Sequence, residues 1–242
     1  MSAGSAVGGR LLPPVCILAG GRGTRLGGRV RTVPKPLLEV GGEPFLLHQL
    51  RLLAEHGARS VVLCVGYLGE QIEAALGSER FGVSIAYSYD GDRLAGTLGA
   101  IRGARHLLGE RFLVLYGDTY LRLDYAAAAA SWIRSGAAAM MTVLANDGRW
   151  DRSNVLLDGD RVLHYDKHAP IPDMCWIDYG LGGLTAAALD AVPQSESDLA
   201  ALYSELARTG ELFAYEATER FYEIGSPEAL AETDAFLRLK RV

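Results

Sequence analysis

Four short apolar runs in the first half of the chain constrain its fold more than any other feature of the sequence. The runs are VCIL, RSVVLCV, VSIAYSY and FLVLY, at residues 15–18, 59–65, 83–89 and 112–116. Three of them lack the alternation of a half-exposed strand, which indicates strands buried on both faces. The segments between the runs are predicted helices, at residues 44–56, 69–76 and 96–108. Because strands that alternate with helices form βαβ units, the pattern predicts a mainly parallel sheet.

The second half of the chain predicts shorter, more antiparallel strands. After a helix at 124–134, β-like runs follow at 138–144, 154–157, 162–165 and 212–215, with a hairpin turn, DGD, at 158–160 and helices at 197–208 and 227–239. No change of composition marks a linker. We therefore predict an α/β fold of Rossmann-like, three-layer α/β/α type, with a mainly parallel mixed central sheet and a smaller antiparallel part. Residues 13–242 are predicted to form one domain after a flexible leader at 1–12.

Composition excludes several classes of function. The net charge of −5 argues against a nucleic-acid partner held by bulk electrostatics. Three cysteines without paired spacing argue against a disulfide framework or a zinc site. No apolar run is long enough to cross a bilayer, and the first ten residues lack the apolar stretch of a secretory signal. We therefore expect a cytoplasmic protein without a membrane partner.

The loop that follows the first strand concentrates groups that bind phosphate. Glycines at positions 20, 21 and 23 let the backbone approach a ligand and expose successive N–H groups. Arginines and a lysine supply donors for phosphate oxygens, and Thr24 supplies a hydroxyl. The loop lacks the GK[ST] of a P-loop, and Leu26 stands where a dinucleotide fingerprint requires glycine. The segment predicts a polyphosphate site of another kind, since the alternative, a solvated surface loop, does not account for this concentration of donors.

Several ordered motifs then carry a family resemblance. They are LAGGRGTRL at 18–26, PKP at 34–36, VGY at 65–67, EQI at 70–72, GTLGA at 96–100, YGDT at 116–119, DK at 166–167 and EIGSPE at 223–228. Together they resemble the signature of the sugar-1-phosphate nucleotidyltransferases, the NDP-sugar pyrophosphorylases. Within that family the chain is most similar to the short D-glycero-D-manno-heptose 1-phosphate guanylyltransferase-like group, with single-domain cytidylyl- and uridylyltransferases as close neighbours.

The resemblance implies a nucleotidyltransferase fold and a set of functional residues. Arg25, Lys35 and Asp118 would be catalytic, and Asp118 and Glu223 would bind Mg²⁺. The nucleotide would contact Leu18, Ala19, Gly20, Gly21, Arg22, Gly23, Thr24, Gly66, Gly96 and Thr97. Two alternatives stay open at this point: Asp118 could be an ordinary turn residue, and Glu223 stands where the family usually has Asp, so its metal role is in doubt. Tyr67 could stack on the base or pack in the core.

The acceptor side departs from the family pattern. Lys167 matches the lysine that contacts the sugar phosphate, although a surface lysine is the alternative. Asp178, Tyr179 and Gly180 stand where the family often has N-x-G against the sugar hydroxyls. Asp accepts hydrogen bonds but cannot donate as Asn does, which puts the identity of the sugar in doubt. Glycines 180, 182 and 183 could allow close approach of a sugar or could simply loosen a strand.

The resemblance implies transfer of a nucleotidyl group from an NTP, with GTP as the best candidate, to a heptose or hexose 1-phosphate, with release of pyrophosphate. A cytidylyl- or uridylyltransferase acting on another sugar or non-sugar phosphate is one alternative. A catalytically silent regulatory subunit that binds nucleotide sugars is another. The expected partners are the NTP and the sugar 1-phosphate, the expected cofactor is Mg²⁺, and a homodimer is the default assembly.

Overall fold

The computed structural model describes residues 11–24, 26, 32–91 and 93–240. Most of the predicted leader, 1–12, lies outside the described residues, and so does Arg25; Leu12 is described and is buried. The strands are β1 (Val15–Leu18), β2 (Glu39–Val40), β3 (Glu43–Pro44), β4 (Ser60–Val65), β5 (Glu79–Arg80), β6 (Val83–Tyr89), β7 (Arg111–Tyr116), β8 (Thr119–Tyr120), β9 (Ala139–Ala145), β10 (Val155–Asp158), β11 (Arg161–Tyr165), β12 (Trp176–Thr185), β13 (Leu212–Ala217) and β14 (Tyr222–Glu223). The α-helices are α1 (Phe45–Glu55), α2 (Gly69–Leu76), α3 (Gly96–Gly103), α4 (Arg105–Leu108), α5 (Tyr125–Ser135), α6 (Leu199–Arg208) and α7 (Pro227–Leu239).

One mixed sheet of ten strands in the described residues forms the middle layer. Its order is β10-β11-β13-β9-β12-β7-β1-β4-β6-β5. β7, β1, β4 and β6 run parallel, whereas β12 runs antiparallel to both β7 and β9. The predicted division into a parallel part and a more antiparallel part is therefore confirmed, and both parts share a single sheet.

Helices cover both faces of this sheet, which gives the predicted three layers. Successive residues of a strand point to opposite faces. Val15 and Ile17 of β1 accordingly join a core with α1, α2, α5 and α7, while Cys16 between them joins a second core with α3, α4 and α6. The continuous apolar sequence of the central strands follows from burial on both sides.

Local sequence signals account for the ends of the helices. The side chain of Asp124 accepts a hydrogen bond from the Ala127 N–H at the start of α5, and Gly136 ends that helix with a φ of 74°. Ser226 caps α7 in the same way, and Pro227 occupies its first turn. The segment predicted as one helix at 96–108 is instead two, α3 and α4, which meet at Ala104.

The glycines of β12 are explained by packing. A Cβ on Gly182 would collide with the hydroxyl of Tyr203 in α6, and a Cβ on Gly183 would lie 2.7 Å from the ring of Trp132 in α5. These two glycines thus admit large aromatic rings from the two helical layers, one on each face of the sheet. Gly180 differs, since the nearest described side chain, that of Thr119, lies 3.7 Å from its Cβ position, and its φ of 108° suits glycine alone.

Candidate active site

The order of the parallel strands determines where a ligand can bind. From β1 the chain proceeds to β4 and β6 on one side, and then returns to place β7 on the other side of β1. The chain leaves β1 towards β4 and leaves β7 towards the β12 and β9 side of the sheet, so the two loops diverge and open a crevice at its carboxyl edge. The glycine-rich loop follows β1, and Gly117 and Asp118 follow β7, so both motifs lie at this crevice.

A cleft of about 320 Å³ occupies the crevice. It is lined by Leu18, Ala19, Gly20, Gly21, Gly23, Thr24, Lys35, Pro36, Cys64, Asp90, Leu94, Gly96, Thr97, Ala100, Tyr116, Gly117, Asp118 and Gly225. The structure thus brings together ten residues that the sequence predicted, from three loops and one helix N-terminus. Arg22 is exposed on the same loop but is not part of this lining.

Close backbone contacts between loops fix one wall of the cleft. The Tyr67 N–H donates to the Gly20 carbonyl at 3.2 Å, and a Cβ on Gly20 would lie 3.0 Å from the Gly66 nitrogen. A Cβ on Gly117 would lie 2.9 Å from the Leu18 carbonyl oxygen. Side chains at these positions would force the loops apart, so glycine is required by the approach of one backbone to another.

An ion pair faces the cleft between the glycine loop and the end of β7. Lys35 Nζ donates to Asp118 Oδ2 at 2.6 Å, with 13% of the lysine side chain and 35% of the aspartate side chain exposed. Pro34 and Pro36 flank the lysine in a short 3-10 turn, Lys35–Leu37. The pair thus places a cation and a carboxylate side by side in the lining of the cleft.

Gln49 of α1 holds the turn that carries Asp118. Its Nε2 donates to the carbonyls of Tyr116 and Thr119, at 2.8 and 2.6 Å, on either side of the Gly117–Asp118 turn. The Ile224 N–H also donates to the Asp118 carbonyl, at 2.9 Å. Gln49 was not among the predicted site residues, because a glutamine within an apolar helix carries no signal of its distant partners.

The two predicted metal ligands lie beside one strand pair, with Glu223 in β14 and Asp118 in the turn just before β8. β14 pairs with β8, and Glu223 is directly opposite Thr119, the residue after Asp118. The carboxylate of Glu223 folds over Gly225, with Oε2 3.1 Å from the position a Cβ would take there, and Gly225 lines the cleft. Two carboxylates beside this cleft would fit Mg²⁺, which takes a few protein oxygens plus substrate phosphates. The described residues contain no group of three or more His, Cys, Asp or Glu side chains that could hold a metal by themselves.

The other end of the cleft is built by β6, α3 and α6. Gly96 begins α3 with a φ of 75°, and a Cβ there would lie 2.6 Å from the Ser197 carbonyl. The Thr97 hydroxyl accepts from the Leu199 N–H at 2.8 Å, so this side chain joins the first turns of α3 and α6. Leu94 and Ala100 add apolar surface, and Asp90 adds a carboxylate.

Tyr116 separates the cleft from a second polar cluster, formed by Lys167, Asp178 and Tyr165. Lys167 Nζ lies 5.5 Å from the centre of the Tyr116 ring and 3.8 Å from Asp178 Oδ2. Tyr165 donates its hydroxyl proton to Asp178 Oδ2 at 3.2 Å, and the Gly180 N–H donates to Oδ1 at 3.0 Å. Burial raises the pKa of Asp178, while the positive charge of Lys167 and these two hydrogen bonds oppose that rise.

Tyr179 does not join this cluster. Its ring is buried in the core with α1, α2, α5 and α7, and its hydroxyl accepts from the Arg122 N–H at 3.1 Å. Alternation along β12 explains the difference, because Asp178 and Tyr179 point to opposite faces of the sheet. The predicted sugar contact of Tyr179 is therefore not supported by the placement of its side chain.

Comparison with known sequences identifies relatives. The family described as nucleotidyl transferase matches residues 15–152, which is more than half of the chain. The mannose-1-phosphate guanylyltransferase catalytic subunit beta of Danio rerio is 29% identical over 88% of this chain and 61% of that protein. The N-acetylmuramate alpha-1-phosphate uridylyltransferase of Neisseria meningitidis is 43% identical over 46% of this chain and 49% of that protein. The chain thus spans between about half and three fifths of the length of these relatives.

Comparison with solved structures supports the fold. The crystal structure of HddC from Yersinia pseudotuberculosis complexed with GMP-PN superimposes with a TM-score of 0.74 and 23% identity, over 93% of this chain and 99% of that chain. At this identity the likeness concerns the fold. None of the helices in the described part of the chain is long and apolar enough to span a membrane.

Proposed function

The chain belongs to the nucleotidyl transferase family, and we propose that it transfers a nucleotidyl group from an NTP to a sugar 1-phosphate, forming an NDP-sugar and releasing pyrophosphate. The observation that carries this proposal is the Lys35–Asp118 pair in a cleft that opens between the glycine loop and the end of β7. The two relatives named above also bear names of enzymes that transfer nucleotides to sugar 1-phosphates.

The chemistry needs positioning and charge neutralisation more than a general base. A sugar-1-phosphate oxygen is already an anion when it attacks the α-phosphorus, so no side chain has to remove a proton. In our proposal the backbone around Gly21 and Gly23 cradles the triphosphate, and Lys35 binds phosphate oxygens. Lys167 holds the incoming sugar phosphate beyond Tyr116, and the predicted role of Arg25 is to stabilise the leaving pyrophosphate.

Asp118 and Glu223 would hold Mg²⁺, which when bound supplies positive charge that neutralises the phosphates. Asp118 also orients the Lys35 ammonium through their 2.6 Å contact. Gln49 fixes the turn that carries Asp118, and the β8–β14 pairing fixes the backbone of Glu223.

For the substrates, we propose GTP and a heptose or hexose 1-phosphate. The guanylyltransferase relative from Danio rerio and the fold neighbour bound to GMP-PN support guanine. The uridylyltransferase relative supports UTP as the second candidate. A catalytically silent regulatory subunit is a third hypothesis, and the Glu at position 223 favours it.

The test is pyrophosphate release with Mg²⁺, for four NTPs against heptose, mannose, glucose and N-acetylmuramate 1-phosphates. We expect turnover with GTP and one of the heptose or hexose phosphates. Turnover with UTP alone would favour the second candidate. Nucleotide binding without turnover of any pair would contradict the proposed activity and favour the silent subunit or a different acceptor.

A further inference from the structure

Gln49 is a polar side chain in the apolar face of α1. The residues one turn before and after it, Phe45, Leu46, Leu52 and Leu53, are buried in the core, and only 1% of Gln49 is exposed. Residues three and four positions apart share one face of a helix, so an apolar side chain would suit this position. The glutamine therefore needs an explanation that core packing does not provide.

Two acceptors fix the orientation of its amide. The carbonyls of Tyr116 and Thr119 lie 2.8 and 2.6 Å from Nε2. Since carbonyls only accept hydrogen bonds, the NH₂ group faces them and the amide oxygen points away. That oxygen is buried and finds no donor in the described part of the chain. A buried acceptor without a partner destabilises a fold, so the gain from this amide has to be sought in the turn that it holds.

The two carbonyls bracket the turn that carries Asp118. Two further bonds tie this turn to neighbouring segments, and both join backbone groups. The Gly117 N–H donates to the Leu18 carbonyl and the Ile224 N–H donates to the Asp118 carbonyl, each at 2.9 Å. Gln49 spans the turn from a different helix and sets the distance between its two ends. It can therefore be replaced while the backbone bonds stay in place.

The same amide also affects the second predicted metal ligand. Thr119 pairs with Glu223 across β8 and β14, so one of the two acceptors belongs to the residue directly opposite Glu223. Asp118 precedes Thr119, and its carboxylate holds the Lys35 ammonium at 2.6 Å. Loss of the amide would loosen the segment that relates the two carboxylates to each other, while their charges would remain.

We propose that Gln49 is a positioning residue for the divalent cation, because its amide keeps Asp118 in register with Glu223 for joint binding of the cation. The inference rests on the proposed function and its metal site, and deepens them. Mg²⁺ tolerates little deviation from its octahedral geometry, so a looser arrangement of ligands lowers its affinity. Residues that orient metal ligands without touching the metal typically change its affinity by about tenfold to a hundredfold.

The experiment measures binding of Mn²⁺ alone to the full chain, followed by the loss of the EPR signal of the free ion. Mn²⁺ takes the same oxygen ligands as Mg²⁺. Gln49→Met removes both donors together with the unpaired oxygen, and Gln194→Met is the control, the same change at an exposed residue outside the cleft lining. Asp118→Asn identifies which ions bind at the site. We expect Gln49→Met to bind Mn²⁺ there about tenfold more weakly than the wild type and the control.

Melting curves separate positioning of the cation from support of the fold. Methionine has a similar volume and no unpaired acceptor, so Gln49→Met should melt within about 3 °C of the wild type. Gln49→Asn keeps the amide but shortens its reach, and it should weaken Mn²⁺ binding in the same direction. A loss of Mn²⁺ affinity accompanied in both variants by a fall of about 10 °C in melting temperature would assign Gln49 to the fold and overturn the inference.

The titration does not depend on the transfer reaction. Weaker Mn²⁺ binding by a stably folded Gln49→Met would support the inference even when no sugar 1-phosphate is turned over. Equal Mn²⁺ affinity in Gln49→Met and the wild type would overturn it, and so would the absence of a wild-type Mn²⁺ site that Asp118→Asn removes. Where the wild type is active, the half-saturating Mg²⁺ concentration should rise about tenfold in Gln49→Met, with the KM for the NTP at saturating Mg²⁺ within about twofold of wild type.

Discussion

The two sides of the proposed site are built in different ways. The phosphate side consists largely of backbone, because Gly20, Gly66 and Gly117 bring loops together at distances that exclude side chains. The acceptor side consists of side chains, with Lys167 and Tyr165 both directed at Asp178. Close backbone packing makes the phosphate side intolerant of added volume, whereas the acceptor side depends on charge in a buried position.

Replacement of Asp118 by Asn should have the largest effect of the changes considered. Asparagine lacks the negative charge that orients Lys35, and its amide would be a poor ligand for a divalent cation. We expect kcat for pyrophosphate release to fall about 10²- to 10³-fold. Thermal stability should change little, since Asp118 is partly exposed in its turn.

Asp158→Asn is the matched control, because it makes the same chemical change at an exposed position outside the cleft. It should retain wild-type kcat. A kcat for Asp118→Asn within about threefold of the control would show that this carboxylate is the ordinary turn residue of the alternative interpretation.

Gly20→Ala and Gly21→Ala test the backbone construction of the phosphate side. A Cβ on Gly20 would lie 3.0 Å from the Gly66 nitrogen, whereas one on Gly21 would have no heavy atom of the described residues within 4 Å. Gly20→Ala should therefore lower stability by about 1–3 kcal/mol, which is roughly 2–12 °C in melting temperature. Gly21→Ala should leave stability unchanged or slightly higher.

Nucleotide binding should respond to both substitutions. If phosphates contact the backbone at Gly21, the added methyl group should weaken NTP binding about tenfold without loss of stability. Calorimetric titration with the NTP and a melting curve measure the two effects separately. Unchanged affinity in Gly21→Ala would place the phosphates elsewhere in the cleft.

The phosphate side was largely predictable from the sequence because its signals are local. The bounds of β1, β6, α2 and α7 agree with those predicted, and the glycine loop lies at the crevice as expected. Backbone contacts of this kind require glycines, and glycines are visible in the sequence. Asp90, which also lines the cleft, was not predicted, because the pair Asp90–Gly91 resembles an ordinary turn and its carboxylate lies beside Gly20, a distant part of the chain.

The acceptor side was harder to predict. β12 has ten residues, yet its glycines give it a weak strand pattern. The rings of Tyr203 and Trp132 that fill the space beside these glycines come from helices α6 and α5, which no local pattern reveals. The side on which Tyr179 points depends on the register of β12 with its neighbours, which no local pattern provides. The contact of Lys167 with Asp178 likewise depends on how β11 and β12 are arranged.

Lys167→Met should affect the acceptor more than the nucleotide. Methionine keeps much of the side-chain volume beside Tyr116 but removes the charge. We expect the KM for the sugar 1-phosphate to rise about tenfold, with the KM for the NTP within about twofold of wild type. Lys240→Met is the control, because that lysine contacts Tyr120 and Phe236 and is not in the cleft lining. A rise in the NTP KM of equal size would contradict a separate acceptor side.

Asp178→Asn should have the smallest effect of these substitutions. The sign of its change in melting temperature shows whether the charge of Asp178 serves function or stabilises the fold. Burial is the largest cause of the raised pKa of Asp178, so the folded protein disfavours the ionised form. The wild type therefore loses stability as the pH rises from the ordinary aspartate value of about 3.9 through the raised pKa in the folded state.

Asn stays neutral, and its oxygen can still accept from Gly180 N–H while its amide donates to the Tyr165 hydroxyl. Asp178→Asn should thus melt on the order of 2 °C higher than wild type at pH 7, with the difference vanishing near pH 4. At the same time the KM for the sugar 1-phosphate should rise, because the neutral amide holds the Lys167 ammonium in place less firmly than the carboxylate does. A lower melting temperature at pH 7 would instead mean that the Lys167–Asp178 contact stabilises the fold, and the acceptor side would then resemble the phosphate side in being built mainly for structure.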